Sequence, residues 1–441
     1  MSSLTYAAVT REVIRPMFKP TVLWLGALGM ALSALALGGY SWYTQLSQGL
    51  GAAGYKPPVM WGVYITTFVF WIGIGHAGTL ISAILYLLRA PWRTGVYRAS
   101  EAMTIFAVMT AGLFPILHAG RCWYAYWLFP YPNQRELWPN FKSPLVWDVF
   151  AISTYATIST VFFFIGLVPD IASVRDSSRG IIRKVYNILC LGWRGTDNQW
   201  RHFMAAYGFF AALATPLVLS VHSVVSWDFA MAQTAGWHST IFPPYFVAGA
   251  IFSGCAMVLT LLIPMRLLFD WDEFLNMWHF ERLAQMCLLT GNILFYAYMI
   301  ELFIAWYSDN PYEWGIFYYR PTGDYWWVYW MMFTCNCVIP QLWWFKKIRT
   351  NLFWLFGISI VINIGMWFER FNIIASSLAH MFDPGAWVYY LPNHIEIGIL
   401  IGSFGWFSMW FLLFVKLMPS VAIAEIKEAM IPPLLSEEKA A

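Results

Sequence analysis

Long apolar runs alternate with short polar gaps marked by proline and glycine along the whole chain. A helix that crosses a bilayer needs about 20 mostly apolar residues. Ten stretches reach that length, at 20–45, 59–89, 98–128, 144–169, 202–230, 243–269, 281–307, 324–346, 350–375 and 394–418. The pattern predicts an all-α integral membrane protein with ten transmembrane helices. Polar residues run to Pro20 and the first apolar run is already membrane-length, so no cleaved leader is expected.

Composition sharpens that reading. The 441 residues are 60% hydrophobic and 11% charged, against about a quarter charged in soluble chains. The 27 Trp, 24 Tyr and 35 Phe suit many helix ends lying at two lipid interfaces, where amphipathic rings are favoured. A formal net charge of +3 gives no sign of a nucleic-acid partner. Cys122, Cys190, Cys255, Cys287, Cys335 and Cys337 form no CxxC or CxxCH, so iron–sulfur, structural zinc and c-type haem sites lack their usual spacing. Free, mostly buried thiols are expected.

Lys and Arg set the orientation, because cytoplasmic loops retain positive charge. With both termini cytoplasmic, only Lys56, Arg121, Arg135, Lys142, Arg320 and Arg370 of the 26 basic residues fall on the outer side. The loop from Ile171 to Arg201 is then the longest and most basic cytoplasmic segment, read as an ordinary positive-inside anchor. A faint repeat relates predicted helices two and six. Pro57-Pro58 opens one and Pro243-Pro244 the other, while GHAGTLISAILYLLR aligns loosely with GCAMVLTLLIPMR. Ser226-Trp227-Asp228 near the end of helix five matches Met366-Trp367-Phe368-Glu369 in helix nine. The repeat suggests two four-helix bundles, helices two to five and six to nine, flanked by helices one and ten. The corresponding divisions are 1–58, 59–230, 231–375 and 376–441.

Ionisable residues inside apolar segments are costly, at about 2.5–3.5 kcal/mol for Arg or Asp at a helix centre on an insertion scale. In this topology they gather in the outer half: His118 and Arg121 on helix three, Asp148 on helix four, His222 and Asp228 on helix five. Glu301 on helix seven, Glu369 and Arg370 on helix nine, and His394 and Glu396 on helix ten lie on the same side. His76 and Asn292 fall near mid-membrane, His238 and His380 in outer loops, and the cytoplasmic half reads as comparatively bare. A quinol sheds two electrons and two protons, so its site wants a histidine and a carboxylate within apolar walls. His118 with Asp148 or Asp228 is the candidate donor–acceptor pair. Arg121, three residues on, is expected on nearly the same helix face, holding a carboxylate ionised. A structural ion pair is the competing account of any single residue; the cluster is what calls for chemistry. His118 and His222 at similar depth also raise a b-type haem, but neither helix has the second histidine of a two-haem bundle.

Several long motifs carry a family resemblance: FVFWIGIGHAGTLISAIL at Phe68–Leu85, SEAMTIFAV at Ser100–Val108, LFPYPNQ at Leu128–Gln134 and SPLVWDVFAISTY at Ser143–Tyr155. LATPLVLSVHSVVSWDFA at Leu213–Ala230 and GWHSTIFPPYFVAGAIFSG at Gly236–Gly254 extend it. They resemble the ActC-type quinol-oxidising membrane subunits of alternative complex III, within the wider NrfD or polysulfide reductase membrane-subunit family. The resemblance implies two four-helix bundles with flanking helices, and a quinol site near the outer face that oxidises menaquinol or ubiquinol. It implies no haem or iron–sulfur cluster in this chain, and no metal. Electrons would pass to a docked periplasmic iron–sulfur, molybdopterin-like subunit and on to c-type haem subunits, beside a second NrfD-like membrane subunit. Matching positions put His118, Asp148 and Asp228 at the quinol with Arg121 and His222 nearby. They make His76, Glu301, Glu369 and Arg370 candidates for a proton path coupled to translocation across the bacterial inner membrane. Two other readings compete: a ten-helix secondary transporter, and an anchor subunit with no quinol site of its own.

Overall fold

The computed structural model describes residues 5–430; the first four and last eleven residues, Lys439 among them, lie outside the described residues. It is helical throughout, and nine helices among the described residues are long and apolar enough to cross a membrane. In chain order the helices are α1 (Tyr6–Phe18), α2 (Val22–Gln48), α3 (Val63–Thr79), α4 (Tyr97–His118), α5 (Pro144–Ser177), α6 (Gly180–Leu189) and α7 (Asp197–Ala230). They continue with α8 (Phe242–Phe269), α9 (Met277–Tyr307), α10 (Pro311–Thr322), α11 (Trp326–Phe333), α12 (Leu352–Ala379), α13 (His394–Leu417) and α14 (Ile423–Ala429).

Helix starts are written in the sequence as side-chain caps. The Thr196 hydroxyl accepts from the Gln199 backbone N–H and Gln199 reciprocates, while Asn393 and Glu396 do the same for α13. Pro144 opens α5, where a missing N–H costs nothing.

Burial orders the helices. α3 and α8 are apolar on all sides, almost wholly buried, and packed against each other at the centre. A Cβ on Gly254 would meet Ala77 and the Ile74 carbonyl, so only glycine permits this approach. α3 also packs on α4, α7 and α12, and α8 on α7, α9 and α12. α2 is almost fully exposed along its length and pairs with α13, where Gly38 and Gly402 bring the two backbones together.

Two predicted helices differ from expectation. Helix three is expected to reach 128, but α4 ends at His118: Gly120 takes φ +74 and turns the chain into an exposed 3-10 segment, Cys122–Leu128. Glycine just past the last turn is a standard helix stop. The eighth stretch is not one long helix. α11 opens into a π turn at Thr334–Val338 and tightens to a 3-10 run at Ile339–Trp344. Pro340 lacks the N–H that the α ladder needs, so the turns on either side absorb the break. The cysteines are free as expected, five buried and Cys122 half-buried.

Candidate functional site

The N-terminal turns of α5 and the C-terminal turns of α7 each carry a Trp-Asp dipeptide, and the fold sets the two against one another. The Trp147 and Trp227 rings meet edge to face at 5.7 Å and 81°. Beside them Asp148 and Asp228 lie close together. Asp148 is buried, and each residue keeps a buried Oδ1 with no partner. The pair therefore has buried acceptor oxygens left over for another donor.

His118 closes α4, half-buried, with its Nδ1 buried and unpartnered. Among the described residues no direct hydrogen bond joins His118 to Asp148 or Asp228. The nearest aromatic neighbour of His118 is Tyr55, which meets it edge on at 5.8 Å and has a buried hydroxyl with no partner of its own. Tyr55 stacks on Tyr390 and lies edge to face with Tyr64. The Tyr64 hydroxyl donates to Gln45 at 2.5 Å, and Gln45 donates to the Leu117 carbonyl at 2.9 Å, fixing the last turn of α4. Sequence reasoning misses Tyr55 and Gln45 because they sit outside the apolar stretch that holds His118. No spacing rule joins them to it.

Arg121 is not on the face of His118. The helix has ended, the backbone at Arg121 is extended, and the side chain is exposed with no ion pair among the described residues. His222 belongs to a separate ring cluster. It lies six residues before Asp228, about 9 Å along the helix, and its ring packs on His76 at 4.6 Å and Phe246 at 5.7 Å. Both ring nitrogens of His222 are buried without partners. His76 stacks on Tyr155 at 5.0 Å, and its Nδ1 meets the Ile72 carbonyl at 2.5 Å. The Tyr155 hydroxyl donates to the Gly75 carbonyl at 2.9 Å, just before the π turn at Leu80–Ile84. His118 and His222, the two histidines of the haem reading, thus belong to different clusters.

A third cluster lies across Phe246. Arg370 sits over the Phe246 ring at 4.3 Å and donates to Glu369 at 2.9 Å, and the Tyr245 hydroxyl donates to the same Glu369 oxygen at 2.5 Å. Both charges are fully buried and the other Glu369 oxygen has no partner. Glu301 is buried without an ion pair among the described residues, and the buried Arg320 donates to the Gly236 carbonyl and Ser377. Glu396 caps α13 and takes the Gly54 N–H and the Tyr390 hydroxyl. His394 opens the same helix.

The opposite end of the bundle is not bare. Arg98 is fully buried, donating to Glu101 at 3.0 Å, to Asp170 at 3.0 Å and to the Gly166 carbonyl at 2.6 Å. These residues escape a sequence reading because each sits near the edge of an apolar stretch, where a charge looks like a solvated helix end.

A protein-family model, "Polysulphide reductase, NrfD", matches residues 51–381. The chain belongs to this NrfD family. That agrees with the resemblance read from the motifs, at the level of the family. Two curated relatives of this NrfD chain match over different lengths. A putative dimethyl sulfoxide reductase membrane subunit of Halobacterium salinarum is 27% identical over 242 residues, 54% of this chain and 51% of that protein. The match thus spans about half that relative's length. A selenate reductase subunit of Mesobacillus selenatarsenatis is 22% identical over 410 residues, 88% of this chain and 92% of that protein.

Proposed function

We propose that this NrfD-family chain is the quinol-oxidising membrane subunit of a multi-subunit oxidoreductase, with Asp148, Asp228, His118 and Tyr55 at the quinol. The observation that carries the reading is a set of buried polar atoms without partners, Asp148 Oδ1, Asp228 Oδ1, His118 Nδ1 and the Tyr55 hydroxyl, on helix ends and a loop that the proposed topology puts on the same side of the membrane. Each unpaired buried polar atom costs about 1–3 kcal/mol. A ligand with two hydroxyl groups on an aromatic ring satisfies several at once, and the surrounding Trp and Tyr rings give it apolar walls. On oxidation one hydroxyl proton passes to the Asp148–Asp228 pair and the other to His118. The two electrons leave for a docked iron–sulfur subunit.

The finer reading is an ActC-type subunit of alternative complex III, using menaquinol or ubiquinol, with c-type haem subunits and a second NrfD-like subunit as partners. The relatives' names, a membrane subunit of a dimethyl sulfoxide reductase and a subunit of a selenate reductase, support a redox complex of this general kind. We count the broken helical run 326–344 as the tenth crossing and keep both termini in the cytoplasm of an inner-membrane protein. The first bundle, 59–230, holds the quinol end, and 231–375 forms the second. His76 with His222, and Glu369 with Arg370, are buried polar steps between the bundles that suit coupled proton movement. The test is ligand content: extracts of the purified complex should hold quinone, and inhibitors with quinone-like rings should bind it and lose affinity in H118Q. A complex with no extractable quinone and no inhibitor binding contradicts the reading.

A further inference from the structure

A cavity of about 830 Å³ opens at the end of the bundle opposite His118, between the start of α4, the end of α5, the start of α7 and α14. Two of its walls are buried arginines. Arg93 donates twice to Glu425 through one nitrogen, at 2.8 Å to each oxygen, and lies over the rings of Tyr86 and Tyr97. Its other terminal nitrogen, Nη1, is buried without a partner, as is Nε of Arg98. Arg93 is 7% and Arg98 1% exposed, so neither donor is satisfied by bulk water.

The carboxylates around this cavity are already engaged. Glu425 is held by Arg93, Asp176 by Arg175, and Asp170 by Arg98 and the Ala424 N–H. Glu101, behind the wall, takes Arg98 and the Tyr207 hydroxyl. At the rim, Arg89, Arg194 and Lys427 have no ion pair among the described residues, against one such carboxylate, Glu428. The accessible charge is therefore positive. The wall from α7 is apolar, formed by Trp200, Phe203 and Met204, and Met204 is 47% exposed.

We infer that this cavity binds the phosphate headgroup of an anionic phospholipid, its phosphate oxygens meeting the rim cations Arg89, Arg194 and Lys427 and its glycerol and acyl carbons lying along α7. A deep cavity, a surplus of cations at its mouth and an apolar side wall match such a lipid. In the orientation proposed above the lipid comes from the cytoplasmic leaflet. The inference does not depend on the quinol reading. A free phosphate shares the headgroup's chemistry but makes no use of the α7 wall.

The test uses the purified complex, stripped of loosely held lipid and titrated with short-chain phosphatidylglycerol, phosphatidylcholine or inorganic phosphate, with bound lipid read by native mass spectrometry. Phosphatidylglycerol should bind at least tenfold tighter than phosphatidylcholine. The triple variant R89Q/R194Q/K427Q, altered only at the rim, should lose at least tenfold of that binding with its lipid-free Tm unchanged. Equal retention of both lipids, or a triple variant that binds like the parent, overturns the inference. Inorganic phosphate that protects against unfolding as well as phosphatidylglycerol also overturns it, by making a soluble anion the ligand.

Discussion

Asp148 and Asp228, one near the start of α5 and one near the end of α7, lie close together next to an edge-to-face pair of tryptophans. The two dipeptides are 80 residues apart in sequence, and antiparallel packing of α5 on α7 makes them a single feature.

Trp147 and Trp227 should hold that feature together. An edge-to-face aromatic pair contributes about 0.5–1.5 kcal/mol beyond the area it buries. W147L and W227L should each lower the Tm of the complex, and the double variant should lower it by less than the sum of the singles. Strict additivity in the thermal unfolding curves would show that the rings do not support one another.

His118 and Arg121 are separated by the helix stop at Gly120, and their variants should separate as well. H118Q is expected to lower quinol oxidation at least tenfold, in line with the loss of a positioned acid–base group. R121Q, altering an exposed side chain, should change turnover by less than about twofold. Steady-state turnover of the two variants, side by side, checks this, and equal losses would put Arg121 back at the site.

Tyr55 places an unpartnered hydroxyl next to His118. Y55F keeps the ring that packs on Tyr64 and Tyr390 and removes only the oxygen. It should raise KM for quinol severalfold and leave the Tm of the complex within about a degree. A raised KM in Y55L but not in Y55F would assign the effect to packing rather than to the hydroxyl.

Glu369 and Arg370 form a fully buried ion pair. Removing one partner of such a pair costs about 3–5 kcal/mol, because the remaining charge is left uncompensated. E369Q should therefore destabilise the complex markedly in thermal unfolding, whereas E369Q/R370M should recover much of the loss. A double variant as unstable as E369Q would mean that Arg370 is compensated by other groups.

The membrane class and nine of the ten long helices are legible in the sequence because apolar length is a local signal. What stays hidden depends on which helix faces which. His222 sits on the same helix as Asp228, yet its ring neighbour is His76 on α3. Depth along a helix is readable from sequence, and direction around it is not, since α3 and α8 are apolar on every side and carry no stripe to orient them. Arg98, Glu101 and Asp170 are hidden for a related reason: a charge at the edge of an apolar run looks solvated until a neighbouring helix covers it. The break at Pro340 is visible as a proline in an apolar run, but not the compensating π and 3-10 turns around it.

The carboxyl pair at Asp148 and Asp228 is the centre of the account, and quinol oxidation by the assembled complex carrying D148N, D228N and both together tests it most directly. If the two side chains hold one proton as a unit, each single variant loses at least tenfold in turnover and the double variant loses little more than either single, because groups that act together are not additive. Near-normal turnover in the double variant would contradict the assignment.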